Sequence, residues 1–352
     1  MGVFKDMLGS GETLFKNPLA LDYDFLPKTI PFREQEQKTI VSGIMPLLHK
    51  RNGRNMFVYG SPGIGKTAAV RSVLRELEDE TDEIIPVYVN CWSKNTTFKV
   101  FSHICEELGY PFTQNKKTED LYKIIKERVN QKAGVFVFDE IDKAEDIDFV
   151  YMIIEEIYRS SIILITNYHE WIIHLDQRIK SRLMPESLVF KPYSMSEVSS
   201  ILSERVRIGF YEGVYNDDIL SRISERTYNA KDIRTGLFLL RESATHAEER
   251  SSKKVSLEDV DKALSKIEDF KIKSTEDLDK ESLDILGIIK ENTGERIGRI
   301  FELFSENNDA SYKTFQRRIA RLEKGKYIFV ESIPGGSEGK TSLLHYNAQK
   351  ES

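Results

Sequence analysis

The stretch Gly60-Ser61-Pro62-Gly63-Ile64-Gly65-Lys66-Thr67 constrains this chain more than any other, because it works only as the turn between a strand and a helix. It fits the pattern G-x-x-x-x-G-K-[ST] in full. The apolar run Met56-Phe57-Val58-Tyr59 leads into it, and helix-forming sequence from Lys66 to Leu77 leads away. Glycines in such a turn let successive backbone N–H groups point inward around phosphate oxygens with no Cβ in the way. The N-terminus of the following helix adds partial positive charge. Gly63, Ile64, Gly65, Lys66 and Thr67 are therefore the candidate phosphate-binding residues. Lys66 suits the β- and γ-phosphates of a nucleoside triphosphate, and Thr67 suits Mg²⁺.

The same alternation continues. Phe32 to His49 reads helical, apolar runs at 84–89, 135–138 and 162–166 read as buried strands, and helical patterns at 97–108 and 118–131 separate the strands. Strands joined by helices of this length make βα units and a parallel sheet. The run Val135-Phe136-Val137-Phe138 ends in Asp139-Glu140, two carboxylates at the end of a strand where α/β sheets bind ligands. Asp139 suits Mg²⁺ coordination and Glu140 suits polarising an attacking water. Leu164-Ile165-Thr166 ends in Asn167, which reads either as a turn former or as a side chain holding that water or the γ-phosphate.

From about Ser194 to Ile267 the strand signal stops and amphipathic helical patterns take over. Lys266 to Ser282 is charged and poor in large apolar residues, and reads as a helix end plus linker. Two further amphipathic helices follow (281–291 and 295–305), then a polar turn at Asn307-Asn308-Asp309 and a helix from Ser311 to Lys324. Tyr327 to Ile333, a turn at Pro334-Gly335-Gly336, and Thr341 to Tyr346 complete a β-hairpin. The expected architecture is an α/β P-loop base with a parallel sheet over 1–190, an α-helical lid over 191–270, and a C-terminal winged helix-turn-helix over 278–352.

Within that last segment, Tyr312, Phe315, Ile319 and Leu322 gather on one stripe at 100° per residue, and Lys313, Arg317, Arg321 and Lys324 on the opposite one. One face can pack while the other offers cations to double-stranded DNA, as a recognition helix must. Arg317 and Arg318 are candidates for base edges, since guanidinium pairs bidentately with guanine. Lys340, at the hairpin tip, is a candidate for backbone or minor-groove contact. Glu302, Glu306 and Glu323 hold this region near neutral, which predicts moderate, salt-sensitive affinity. A solvated basic helix on a protein-binding winged helix is the alternative.

The formal net charge of −6 says nothing by itself for nucleic acid. No run approaches 18 apolar residues, so no membrane span is expected, and Met1 to Glu12 lacks a secretory core. The two cysteines, Cys91 and Cys105, form no CxxC pair; His103 and Cys105 are two apart and point to different helix faces, which argues against zinc. A reducing, cytoplasmic setting fits this usage.

The P-loop, Phe138-Asp139-Glu140-Ile141-Asp142, Thr166-Asn167, Lys180-Ser181-Arg182 and Asp232-Ile233-Arg234 together resemble an AAA+ ATPase. More narrowly, the chain resembles the archaeal origin-recognition initiators, relatives of the eukaryotic origin recognition complex. The likeness covers about residues 15–350, and its narrower marks are Pro31-Phe32-Arg33-Glu34-Gln35-Glu36, Phe190-Lys191-Pro192-Tyr193 and the C-terminal winged helix. The resemblance implies that Asn167 is sensor 1, that Arg234 is sensor 2 and touches the γ-phosphate of ATP, and that Tyr193 and Arg205 line the nucleotide pocket. It implies an arginine finger at Arg182, with Arg178 second, acting on ATP presented by a neighbouring subunit. Asn115-Lys116-Lys117 lies where such initiators carry a second DNA-contacting insertion, or is a solvated loop.

The implied function is ATP-controlled recognition of replication origins at the nucleoid, with slow hydrolysis as a timer, recruitment of the replicative helicase and self-association on DNA. Rival readings are an AAA+ partner of a transposon or plasmid system, a signal-sensing regulatory ATPase with a protein-binding winged helix, and a clamp loader. The acidic run Glu76 to Glu83 has no account in any of them.

Overall fold

The structure, a computed structural model, describes residues 13–276, 280–306, 308, 311–324, 327–333 and 341–347. It divides into two compact units, Met1–Ala263 and Leu264–Ser352.

In the first unit the elements run α1 (Glu34–Ile44), β1 (Met56–Tyr59), α2 (Lys66–Glu80), β2 (Ile84–Asn90), α3 (Thr97–Glu107), α4 (Thr118–Val129), β3 (Ala133–Asp139), α5 (Asp148–Glu156), β4 (Ser160–Thr166), α6 (Gln177–Leu183) and β5 (Glu186–Val189). The five strands pair in the order β2-β3-β4-β1-β5, all parallel. Alternation sorts the side chains to two faces. Phe57, Val87, Val89, Phe136 and Phe138 pack against α3, α4 and α5. Val58, Val135, Val137, Ile163 and Ile165 pack against α1 and α2. Every residue of β3 is buried, as a central strand covered on both faces requires.

Two expectations need correction here. The sheet has a fifth strand, β5, that the sequence does not announce: Glu186-Ser187-Leu188-Val189 is an edge strand with no buried residue, so it carries neither an apolar run nor an alternation. The helix expected to reach His49 stops at Ile44 and tightens into a 3₁₀ turn, Met45–His49, at Pro46.

Helices α7 (Met195–Gly209), α8 (Asp217–Ala230), α9 (Ile233–Glu249) and the start of α10 (Leu257–Glu276) form the lid within this unit. Ser194 and Glu197 form a capping box at α7, and Asn216 and Asp232 cap α8 and α9. The N-terminal strap belongs with the lid: Lys16 and Asn17 donate to Gly209 O, the Phe15 and Phe210 rings lie 5.0 Å apart, and Arg205 donates to Ala20 O. The helix end expected in Lys266 to Ser282 runs as far as Glu276, in a stretch without Gly or Pro.

The second unit holds α11 (Lys280–Glu291), β6 (Glu295–Arg296), α12 (Ile297–Ser305), α13 (Tyr312–Lys324), β7 (Ile328–Ile333) and β8 (Thr341–Tyr346). The strands form an antiparallel sheet, β6-β8-β7. This order of helices and strands is the winged-helix arrangement. Ile285, Ile289, Ile300, Phe304, Phe315, Ile319, Leu322 and Leu344 make its core.

Candidate functional site

The P-loop crosses from β1 to α2 and turns through positive φ at Gly63 (68°) and Gly65 (87°). A side chain is excluded at both on contact grounds as well: a Cβ on Gly63 would sit 1.7 Å from Asp232 Oδ1, and one on Gly65 2.8 Å from the Tyr193 hydroxyl. Lys66, only 7% exposed, donates from Nζ to the carbonyls of Gly60 and Ser61 and to Asn167 Oδ1, each at 2.8 Å. Burial pulls its ammonium down from 10.5 to about 8, although the nearby Asp139 and Glu140 carboxylates push the other way.

Asp139, 3% exposed at the end of β3, accepts at Oδ2 from Thr67 Oγ1 (2.6 Å) and Tyr88 Oη (2.7 Å), and at Oδ1 from the Glu140 N–H (2.9 Å). A hydroxyl and a carboxylate brought together are hard oxygen donors that suit Mg²⁺. That ion keeps several waters and substrate phosphates, so two protein oxygens suffice. Glu140 adopts left-handed backbone (φ 53°), a conformation that costs a non-glycine residue about 1–2 kcal/mol and that turns it out of the sheet. Burial first, then the charges of Asp139 and Asp142, raise its carboxyl above the usual range. Asn167 Nδ2 lies 3.5 Å from Glu140 Oε2, so Asn167 touches both Lys66 and Glu140.

These groups line one cleft, where Lys66, Thr67, Asp139, Glu140, Asn167 and Arg234 supply polar lining and Phe25, Leu26, Ile30, Ile201 and Leu237 supply apolar lining. Tyr193 and Arg205 line it too. Arg205 stands 5.0 Å over the Phe25 ring, and burial lowers the pKa of its guanidinium. Arg234, exposed, is the second residue of α9 and donates its N–H to the cap Asp232, and the Ile233 N–H donates to Gly63 O. Arg182 and Arg178 do not line the cleft. On α6, Arg182 pairs with Glu155 at 2.5 Å and Arg178 with its neighbour Asp176 at 3.3 Å.

On α13, Phe315, Ile319 and Leu322 are buried and Lys313, Arg317 and Arg321 exposed. Arg318 departs from expectation: its half-buried side chain pairs with Glu281 of α11 at 2.7 Å. It stands three residues after Phe315 and four before Leu322, and so flanks the apolar stripe rather than opposing it. Lys340 lies outside the described residues. The Asn115-Lys116-Lys117 loop is exposed. Cys91 and Cys105 are buried in the core beside α3, and His103 pairs with Glu107. No helix among the described residues is long and apolar enough to cross a membrane.

Two family models match: "AAA domain" over residues 49–167 and "Cdc6 AAA+ ATPase-type lid domain" over residues 199–265. The chain is 30% identical to "ORC1-type DNA replication protein 2" of Methanothermobacter thermautotrophicus, over 97% of its own length and 94% of the relative's. It is 29% identical to "ORC1-type DNA replication protein 3" of Haloarcula marismortui, covering 97% and 96%. Its fold is similar to that of the Aeropyrum pernix ORC1 protein solved in complex with DNA, with a TM-score of 0.70, 26% identity and 97% of each chain covered. The chain belongs to the ORC1-type DNA replication proteins. It is accordingly a nucleotide-binding AAA+ ATPase of the replication-initiator family, as the motif resemblance implied, and the transposon-partner, signal-sensing and clamp-loader readings give way.

Two residues at the site went unread in the sequence. Arg33, 4% exposed, donates to Ile64 O and Lys191 O, pairs with Glu36 at 2.9 Å and lies 3.9 Å over the Tyr193 ring. It ties the P-loop to the start of the lid. The available signal was an Arg inside the Pro31–Glu36 mark. Tyr88 was read only as part of an apolar strand, although a phenol in a mostly buried strand demands a polar partner.

Proposed function

We propose that this chain is an ATP-controlled DNA-binding switch that recognises replication origins at the nucleoid and helps recruit the replicative helicase. The observation that carries the reading is the meeting of Lys66, Thr67, Asp139, Glu140 and Asn167 at the carboxyl ends of β1, β3 and β4, in a cleft that Arg234, in the first turn of lid helix α9, also lines.

Lys66 and the P-loop N–H groups bind the phosphates, and the apolar lining of the cleft, with Tyr193 and Arg205, takes the base. Thr67 and Asp139 would hold Mg²⁺, which would supply charge neutralisation to the bound phosphates. Glu140 orients and deprotonates the attacking water, Asn167 positions Glu140 and the γ-phosphate, and Arg234 reports that phosphate to the lid. The raised Glu140 carboxyl suits a base. Turnover is slow, because Arg182 is held by Glu155 on its own subunit and reaches ATP only across an interface between copies assembled on DNA. Lys313, Arg317 and Arg321 meet the duplex, supported by the exposed face of α13 and by the DNA complex of the Aeropyrum pernix relative. Arg318 is not among them.

The experiment is recovery of genomic DNA fragments by the purified protein with ATP, with ADP and with neither. Repeats flanking one replication start, enriched in a nucleotide-dependent way, are expected. Equal recovery of all sequences under all three conditions would refute the switch.

A further inference from the structure

We propose that Tyr88 is a positioning residue for the metal end of the site, its phenol donating to Asp139 Oδ2 and fixing the carboxylate on which Mg²⁺ binding depends. This rests on the reading of Thr67 and Asp139 as the Mg²⁺ ligands. The placement follows from register. β2 pairs with β3 with Tyr88 opposite Val137 and Asn90 opposite Asp139, so Tyr88 and Asp139 are diagonal neighbours on one face, within reach of a long aromatic side chain. That face is the one turned to α2, where Thr67 stands. The other face takes Val87, Val89, Phe136 and Phe138 into the opposite core.

Packing alone would be served by a phenylalanine here. A hydroxyl taken out of water costs free energy unless a partner meets it, and the partner met is the carboxyl group of Asp139. Tyr88 is itself held: the Arg71 guanidinium lies 5.4 Å over its ring, and its carbonyl is 3.2 Å from His103 Nε2. Asp139 Oδ2 thus takes two donors, Thr67 Oγ1 and Tyr88 Oη. A Thr67 hydroxyl that gives a lone pair to a cation can still donate its hydrogen to Asp139 Oδ2, and the Tyr88 bond takes that oxygen's other lone pair, so both donors orient the carboxylate when the cation binds. Donors of this outer kind orient metal-binding carboxylates, and their loss weakens metal binding about 10–100-fold.

The test compares wild type with Tyr88→Phe as full-length proteins, following a fluorescent ATP analogue in EDTA and then across a MgCl₂ titration, with melting temperature in EDTA recorded for both. Equal affinity and melting in EDTA, with the Mg²⁺ midpoint of Tyr88→Phe raised 10–100-fold, is expected. A midpoint within about threefold of wild type overturns the assignment. An EDTA affinity that falls in parallel makes Tyr88 a structural residue and also overturns it. A wild type whose affinity ignores Mg²⁺ would remove the Thr67 and Asp139 reading itself, a failure separate from that of Tyr88.

Discussion

Raising the pH from 7 to 9 should loosen the grip on ATP while firming the fold, and both effects trace to Lys66. Its ammonium is 7% exposed, and burial brings its pKa from 10.5 to about 8. Phosphate binding requires the charged form. The apparent affinity therefore scales with the protonated fraction, which falls from about 0.9 at pH 7 to about 0.1 at pH 9, a loss of roughly tenfold or ~1.4 kcal/mol. At pH 8, each ATP bound should draw in about half a proton. The stability effect has the opposite sign. Below pH 8 both folded and unfolded chains carry the charge, and the folded state bears the net penalty of burial less the carboxylate attraction, about 3 kcal/mol. Between pH 8 and 10.5 the unfolded chain binds the extra proton, so this group's contribution to stability rises with pH.

Calorimetric titration of ATP in EDTA, at pH 7, 8 and 9 and in buffers of different ionisation heat, measures affinity and proton uptake together. EDTA keeps metal out of the comparison. Lys66→Arg should bind with no pH dependence, because guanidinium does not titrate in this range. An affinity flat from pH 7 to 9 in wild type, without proton uptake, would refute the account of Lys66.

Glu140→Gln should keep ATP affinity and lose turnover in a phosphate-release assay; wild-type turnover would remove Glu140 from the chemistry. Arg33→Ala strands Glu36 and two carbonyls and should cost about 3 kcal/mol of stability along with ATP affinity, so an unchanged urea midpoint would show that the tie to the lid carries no energy. Gly63→Ala should weaken ATP binding and lower the melting temperature, since it forces a Cβ into positive φ and against Asp232; wild-type values for both would contradict that contact. Arg317→Ala should flatten the log–log salt dependence of DNA binding by about one unit, whereas Arg318→Ala should leave the slope alone and destabilise the C-terminal unit. The reverse pattern, read from binding isotherms at several salt concentrations, would mean α13 faces DNA differently.

What was legible in the sequence is what depends on neighbours along the chain. The P-loop and the strand ending in Asp139-Glu140 announce themselves because periodicity, glycine placement and strand polarity are local. The apolar stripe of α13 is local too: Phe315, Ile319 and Leu322 are buried as the 100° count requires, while Tyr312, the fourth member, is 41% exposed with its ring against Phe301. Arg318 is a candidate on guanidinium chemistry alone, although the helical count sets it beside the apolar stripe, and its partner is Glu281, 37 positions earlier on another helix. β5 was invisible because an edge strand held by backbone pairing to β1 needs no apolar face. The contacts of Arg33 with Lys191 and of Tyr88 with Asp139 span 158 and 51 positions. No spacing rule reaches that far, so only the chemical oddity of a buried Arg or a strand Tyr hinted at them.

Gly63 makes the same point from within the motif. It occupies one of the free positions of the pattern G-x-x-x-x-G-K-[ST], so the pattern alone assigns it nothing. Yet its carbonyl accepts from Ile233, its φ is positive, and Asp232, the cap of α9, leaves it no room for a Cβ. A turn that wraps phosphate thus also seats the first residues of the lid helix that carries Arg234. On the other side, Arg33 bonds both Ile64 of that turn and Lys191 at the lid's entrance. Any shift of the P-loop backbone is therefore felt at two points of the lid, at its entrance through Arg33 and Lys191 and at the start of α9 through Ile233. The lid does not need a long chain of side chains to sense the phosphates, because it is anchored to the loop that holds them.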